Sequence, residues 1–168
     1  MSGILIRPAE PGDAGALVEL ARAVGGEPGG WLLADSNWRS VGDERRFVRA
    51  VRKHRDAAVL VAEANEEIVG RLSLSRDPHP SSAHVADLGL MVSESHRRRG
   101  IGTALLEAAE QWARSAHVSK LELHVFPHNE PAIALYEHCG YAREGFRLRH
   151  YRRPDGTLVD AVLMAKHL

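Results

Sequence analysis

Between residues 96 and 103 the chain reads His96-Arg97-Arg98-Arg99-Gly100-Ile101-Gly102-Thr103, placed after a long apolar run and before an amphipathic one. The first turn of a helix carries backbone N–H groups that lack intrahelical acceptors, and its dipole favours negative charge. Two glycines remove the Cβ atoms that would hold a phosphate away from that main chain, and the arginines add mobile positive charge. The chemistry on offer is anion binding, with a pyrophosphate as the natural ligand. The lysine-bearing pattern G-x-x-x-x-G-K-[ST] is absent, and the third glycine of G-x-G-x-x-G would fall at Leu105, so neither common nucleotide loop is present. Taken alone, the arginine run reads as a solvated segment ahead of a helix. A second group collects His124, His128, His138 and Cys139. No H-E-x-x-H helix or paired cysteine accompanies them, so no metal site is expected. Cys139 lies beside the C-terminal glycine of a helix, where the dipole opposes a thiolate, and is not expected to be a nucleophile.

The elements that must position these residues follow from periodicity. Ile4 to Arg7 reads as a strand closed by Pro8, and Asp13 as the cap of a helix with Leu17, Leu20, Ala21 and Val24 on its apolar face. Gly25 to Gly30 breaks that helix, and a second helical pattern with Phe47, Val48 and Val51 follows Asp43. Ala57 to Ala64 and Ile68 to Ser75 read as a hairpin turning at Asn65-Glu66. His84 to Val92 is a strand whose continuous apolar character predicts cover on both faces. Ile101 to His117 is an amphipathic helix, Leu121 to Phe126 a strand, and Asn129 opens a helix with Pro131 in its first turn and Gly140 at its end. Tyr141 to His150 and Leu158 to Ala165 flank Pro154-Asp155-Gly156-Thr157 as a terminal hairpin. Arg143, Arg147, Arg149, Arg152 and Arg153 crowd that hairpin, where their alternation makes a solvated strand face the default reading, with an acidic partner or a substrate carboxylate as the other.

Length and composition bound the function. The 168 residues suffice for one domain, residues 1–168, burying roughly 70% of the unfolded surface. Lysine plus arginine (22) balance aspartate plus glutamate (22), so the overall field of a non-specific nucleic-acid binder is missing and no nucleic-acid partner is expected. A single cysteine excludes an intramolecular disulfide and fits a reducing, cytoplasmic setting. No window approaches the roughly 20 apolar residues of a membrane span, so no membrane partner is expected. A homodimer is compatible with the chain.

The block Asn129-Glu130-Pro131-Ala132-Ile133-Ala134-Leu135-Tyr136-Glu137-His138-Cys139-Gly140-Tyr141 changes the weight of the arginine–glycine segment. Together, R-x-x-G-x-G after a strand and N-x-x-A-x-x-L-Y-x-x-x-G-[FY] some thirty residues later resemble the two signature blocks of the GCN5-related N-acetyltransferase (GNAT) superfamily. The order of strands and helices is similar to that family from Ile4 to Leu168, with residues 25 to 56 matching least. The resemblance implies a mixed α/β fold: a central splayed, mostly antiparallel sheet of about seven strands flanked by about four helices. It implies acetyl-CoA as cosubstrate, with the backbone of Met91 and Val92 holding the pantetheine arm and Arg97, Arg99, Gly100, Ile101, Gly102 and Thr103 holding the pyrophosphate. Asn129 and Ala132 would contact the arm, and Tyr136 would be the general acid at the thioester sulfur. Without the family, Asn129 reads as plainly as a helix cap, and Tyr136 reads first as an amphipathic-helix aromatic whose hydroxyl finds a partner.

An amine must lose its proton before it attacks a thioester, so a base is required. Asp87, on the strand leading to the cofactor loop, is the first candidate, although Ala86 stands where many relatives carry a glutamate. Glu122 and His124, alternating on the next strand, are the runners-up and would act through water. Each also suits a hydrogen-bonded polar residue near a strand edge. The stretches around residues 84–92, 122–141 and 152–168 are most similar to the bacterial L-amino acid N-acetyltransferase branch. That narrower resemblance implies a small-molecule amine, the α-amino group of a free amino acid, as acceptor. Its pocket would draw on Trp31, Trp38, Phe47 and the loop from Pro78 to Ser82. A protein N-terminal acetyltransferase and a non-catalytic acyl-CoA-binding module are the competing readings.

Overall fold

A computed structural model describes residues 3–32 and 38–168. The elements are β1 (Ile4–Pro8), α1 (Ala14–Gly25), α2 (Val41–Val51), β2 (Ala57–Ala64), β3 (Glu67–Arg76), β4 (Val85–Val92), α3 (Ile101–Ser115), β5 (Lys120–Val125), α4 (Glu130–His138), β6 (Ala142–Arg152) and β7 (Leu158–His167). Seven strands form one sheet in the order β1-β2-β3-β4-β5-β7-β6. Every neighbouring pair is antiparallel except β4 and β5. The expected mixed, mostly antiparallel seven-stranded sheet with four α-helices is what the described residues form. None of the described helices is long and apolar enough to cross a membrane.

Local chemistry sets most boundaries. Asn65 and Glu66 both take positive φ (51° and 67°), which makes the β2–β3 connection a two-residue type I′ turn whose twist suits a hairpin. Ser40 caps α2 by accepting from the Asp43 N–H at 3.1 Å, so this helix begins ahead of Asp43. Gly140, at φ 91°, stops α4 as expected. Asp13 differs from expectation: its carboxylate does not cap α1 but binds the Arg7 guanidinium at 2.8 and 3.0 Å. Asp13 lies in helical conformation at the end of a 3-10 turn, Pro11–Asp13, and its Oδ2 also accepts from the Glu10 N–H at 2.7 Å, so it closes that turn from which α1 continues.

The sheet has two covered faces. On one, α3 and α4 pack Leu105, Leu106 and Ile133 against Leu72, Leu88, Leu121, Leu123 and Met164. On the other, α1 and α2 set Leu17 and Val48 against Val59 and Val61, while Leu20, Ala21 and Val24 meet Met91. Strand β4 therefore sends Ala86 and Leu88 to one core and Met91 to the other, which is why its sequence runs apolar without alternation. Asp87 and Gly89 share Met91's face yet are exposed. The helices on that side stop short of them, and that gap is the floor of the site.

Candidate active site

The site begins with an interruption in the sheet. Strands β4 and β5 pair only at Val85↔Lys120, Ala86↔Leu121 and Asp87↔Glu122. Beyond that last rung, Leu88 to Val92 continue along β3 but have no partner on the β5 side. Backbone N–H and C=O groups left in this way must find water or a ligand. The wedge opens onto a cavity of about 730 Å³.

One end of the cavity is the N-terminus of α3. Gly100 is its N-cap at φ 79° and ψ 3°, and no acidic residue occupies the first turn. The unpaired N–H groups of Ile101, Gly102 and Thr103 lie there, and all three residues line the cavity. The two glycines differ in purpose. A Cβ on Gly100 would meet nothing within 4 Å, so that position is open to an anion, whereas one on Gly102 would lie 2.6 Å from Leu135 Cδ2. Gly102 thus lets α4 close on α3 as much as it clears main chain for a phosphate. The arginines also separate. Arg98, itself at φ 62°, lines the cavity beside His96, while Arg99 is exposed and outside the lining. Arg97 lines it too, but its guanidinium donates to Glu27 at 2.8 and 2.6 Å and to the Val92 carbonyl at 3.0 Å.

The opposite wall is α4, which contributes Ala132 and Tyr136, with Met91 and Val92 facing them from β4. Asn129 caps α4 by accepting from the Ala132 N–H at 3.3 Å, which commits its amide oxygen and leaves its NH₂ free to donate. Tyr136 is 6% exposed and stacks edge-on to Tyr141 with ring centroids 5.9 Å apart. Burial pushes its phenol well above the ordinary tyrosine value, so it keeps its proton throughout the neutral range.

The three base candidates lie outside that cavity's lining, on the sheet face bounded by α1 and α2. Asp87 is open to water at the splay yet ringed by protein atoms. That confinement, with the negative charge of Glu122 second, pushes its carboxyl up to about 6. Glu122 stands opposite and within 3.9 Å of Lys120 Nζ. His124 Nδ1 meets Tyr151 Oη at 2.5 Å, and its Nε2 is sealed from solvent without a partner. Burial, then Arg147 and His150, lowers its value, so it is neutral at neutral pH. Tyr151 was invisible in the sequence, because strand alternation fails at the register shift between Arg147 and Tyr151.

The remaining expected pocket residues divide. Trp31 lines the cavity, stacked 5.7 Å from His128. Trp38 packs with the Leu20–Met91 cluster and Phe47 with the Val48–Val61 cluster, both flanking the buried Arg71. The loop from Pro78 to Ser82 leads into the far end of β4, away from the lining. Among the arginines of the last hairpin, Arg153 donates to the Gly30 carbonyl at 2.8 Å and lies over Phe126.

A cleft made where two parallel strands part, with a helix N-terminus at one end and a buried phenol on its wall, defines a class of group-transfer protein that takes a long phosphorylated cosubstrate. Residues 26–141 match the Acetyltransferase (GNAT) family, and the chain belongs to it. It is 36% identical over 111 residues to the L-amino acid N-acetyltransferase AaaT of Escherichia coli strain K12, across 64% of this chain and 66% of that protein. It is also 36% identical over 133 residues to an N-alpha-acetyltransferase of Sulfurisphaera tokodaii, across 73% of this chain and 75% of that protein. A crystal structure of a GNAT-family acetyltransferase from Streptococcus pneumoniae superposes with a TM-score of 0.89 at 28% identity, covering 99% of this chain and 100% of that one. The chain spans about half to two thirds of the length of the first curated relatives it matches. Coenzyme A chemistry fits the residues present: an acid-free helix start, open space at Gly100, and five β4 residues without a partner on the β5 side.

Proposed function

We propose that the protein is an acetyl-CoA-dependent N-acetyltransferase whose acceptor is the α-amino group of a free L-amino acid, attacked directly in a ternary complex. The observation that carries this is the splay itself. It offers unpaired β4 main chain on the cavity side and, at its last rung, a carboxyl of raised basicity on the opposite side. Acetyl-CoA supplies a thioester whose carbonyl carbon is open to a neutral amine. Asp87 takes the proton from the incoming ammonium, because its carboxyl is ionised above about 6 yet holds a proton better than an ordinary aspartate. Glu122 keeps that carboxyl basic through its charge. Main-chain N–H groups beyond Asp87 polarise the carbonyl. Tyr136, held protonated by burial, donates to the departing sulfur. Arg99 stays outside the cavity, so α3 and Arg98 carry the pyrophosphate end.

Two features favour a small acceptor. AaaT is named for L-amino acids. The segment after α1 also crosses to the far side of the site, with the Gly30 carbonyl on Arg153 and the Gly29 carbonyl 2.9 Å from His128 Nε2, which narrows the path a peptide would need. The likeness to an N-alpha-acetyltransferase keeps a protein N-terminus as the second reading. The test is thiol release from acetyl-CoA across L-amino acids, polyamines, aminoglycosides and N-terminal peptides, with Tyr136→Phe as control. Turnover on one free amino acid supports the proposal. Turnover on peptides alone, or ping-pong kinetics, refutes it.

A further inference from the structure

Glu27 lies in the glycine-rich break after α1, a stretch whose composition marks it as a turn and no more. Among the described residues near the cleft it accepts the most side-chain hydrogen bonds of any carboxylate. Its Oε2 accepts from Arg97 Nη1 at 2.8 Å and from Trp31 Nε1 at 2.8 Å, and its Oε1 accepts from Arg97 Nη2 at 2.6 Å. Burial alone would raise this carboxyl, but the bonds from Arg97 and Trp31 override it and hold the group below the usual range. The third arm of Arg97 donates to Val92, the last residue of β4. One side chain therefore joins a wall of the cavity to the strand that leads into the pyrophosphate loop.

The Trp31 side of this joint is built to stay in place. A Cβ on Gly29 would stand 2.1 Å from the Trp31 ring, so only glycine lets the indole fold back over its own loop. The ring then stacks on His128, and His128 on Phe126. His128 is one residue from the Asn129 cap of α4. Both ends of the cleft are thus reached from Glu27 through direct contacts.

We propose that Glu27 is a positioning residue that, through Arg97, ties the Trp31 wall to the pyrophosphate loop, so that filling the thioester arm and shaping the acceptor side occur together. This rests on the acetyltransferase reading of the cleft. Arg97 then acts as a strut and not as a phosphate ligand, leaving the anion to the α3 N–H groups and Arg98. Coupling of this kind changes affinities by about 5- to 50-fold.

The experiment compares acetyl-CoA with S-acetylpantetheine, which lacks the pyrophosphate. Glu27→Gln and Arg97→Gln are each expected to weaken both thioesters by the same factor, about 5- to 50-fold, and to raise the acceptor KM more than they lower kcat. The double variant is expected to be no weaker than either single one. In a Trp38→Phe/Trp112→Phe background, thioester binding should change Trp31 emission, and Glu27→Gln should abolish that change. A loss confined to acetyl-CoA in Arg97→Gln, with Glu27→Gln unaltered, would make Arg97 a phosphate ligand and overturn the proposal. Additive losses in the double variant would overturn it as well. Failure of the unaltered protein to bind either thioester would instead bring down the reading of the cleft, and the strut with it.

Discussion

Replacing Glu122 by Gln removes the negative charge that faces Asp87 across the last β4–β5 rung, and the effect has a calculable size. Facing side chains on neighbouring strands lie about 5 Å apart, and in a water-filled cleft two unit charges at that distance interact by about 1 kcal/mol. That equals about 0.7 pH unit. Confinement is the larger cause of Asp87's basicity and persists in the variant, so its carboxyl should fall from about 6 by that amount and remain above its ordinary 3.8. The assay is log kcat against pH at saturating acetyl-CoA and acceptor. The unaltered enzyme should rise with unit slope up to about pH 6 and then level off. Glu122→Gln should keep that shape with its break moved to lower pH, and Asp87→Asn should lose the break together with about 10²- to 10³-fold in kcat. The same shift governs stability. A carboxyl raised by folding stabilises the native state fully below pH 3.8, and this contribution is lost as pH rises through about 6. Asp87→Asn should therefore melt higher than the unaltered protein above that range, with the advantage disappearing in acid. An Asp87→Asn enzyme that keeps both the break and the rate would refute the assignment of the base.

Tyr136→Phe should lower kcat by about 10²-fold while acetyl-CoA affinity, read by calorimetry, stays nearly constant; an unchanged kcat would remove the phenol from the chemistry. Gly102→Ala should cost about 1 to 2 kcal/mol in urea unfolding, because its Cβ would press on Leu135, and Leu135→Ala in the same chain should recover most of it. Absence of that rescue would refute the Leu135 contact as the reason for a glycine at this position. Glu44 has no exposed surface and lies 3.3 Å from Arg71, so Glu44→Ala should destabilise the fold by about 3 kcal/mol in the same measurement, through the uncompensated guanidinium left behind.

What the sequence discloses about this chain is the face a residue occupies and the element it sits on. The alternation from Leu121 onward put Glu122 and His124 on one side of β5, and the unbroken apolar run from His84 put β4 between two layers, because burial selects side chains by period. It does not disclose partners far along the chain. Glu27 and Arg97 are 70 residues apart, and a glycine-rich break carries no period from which their pairing can be inferred. Asp13 reads as the cap of α1 because caps are local, but it closes the preceding 3-10 turn by accepting from the Glu10 N–H and pairs with Arg7 besides. The motif around Gly102 suggested a phosphate contact and was silent on Leu135, whose methyl fills the space a Cβ would need. Tyr151 was lost for a related reason: Arg149 takes φ 50° in β6, and the bulge there resets which residues face the site.

The splay begins at a rung of like charges. Like charges directly opposite on neighbouring strands are destabilising, and Asp87↔Glu122 is the pair at which β4 and β5 stop following one another. On the next positions Gly89 offers no side chain, and His124 turns to Tyr151 on β6, so nothing on that face draws the two strands together again. On the β5 side the main chain of Leu88 to Val92 is left to a ligand, and the carboxylate pair at the last rung includes the group able to take a proton at the apex. Position and reactivity meet at this rung: confinement chiefly raises Asp87's basicity, and repulsion from Glu122 across the rung adds to it. Removing either charge should act on both, which is why the pH profile and the melting temperature of Glu122→Gln belong in the same experiment.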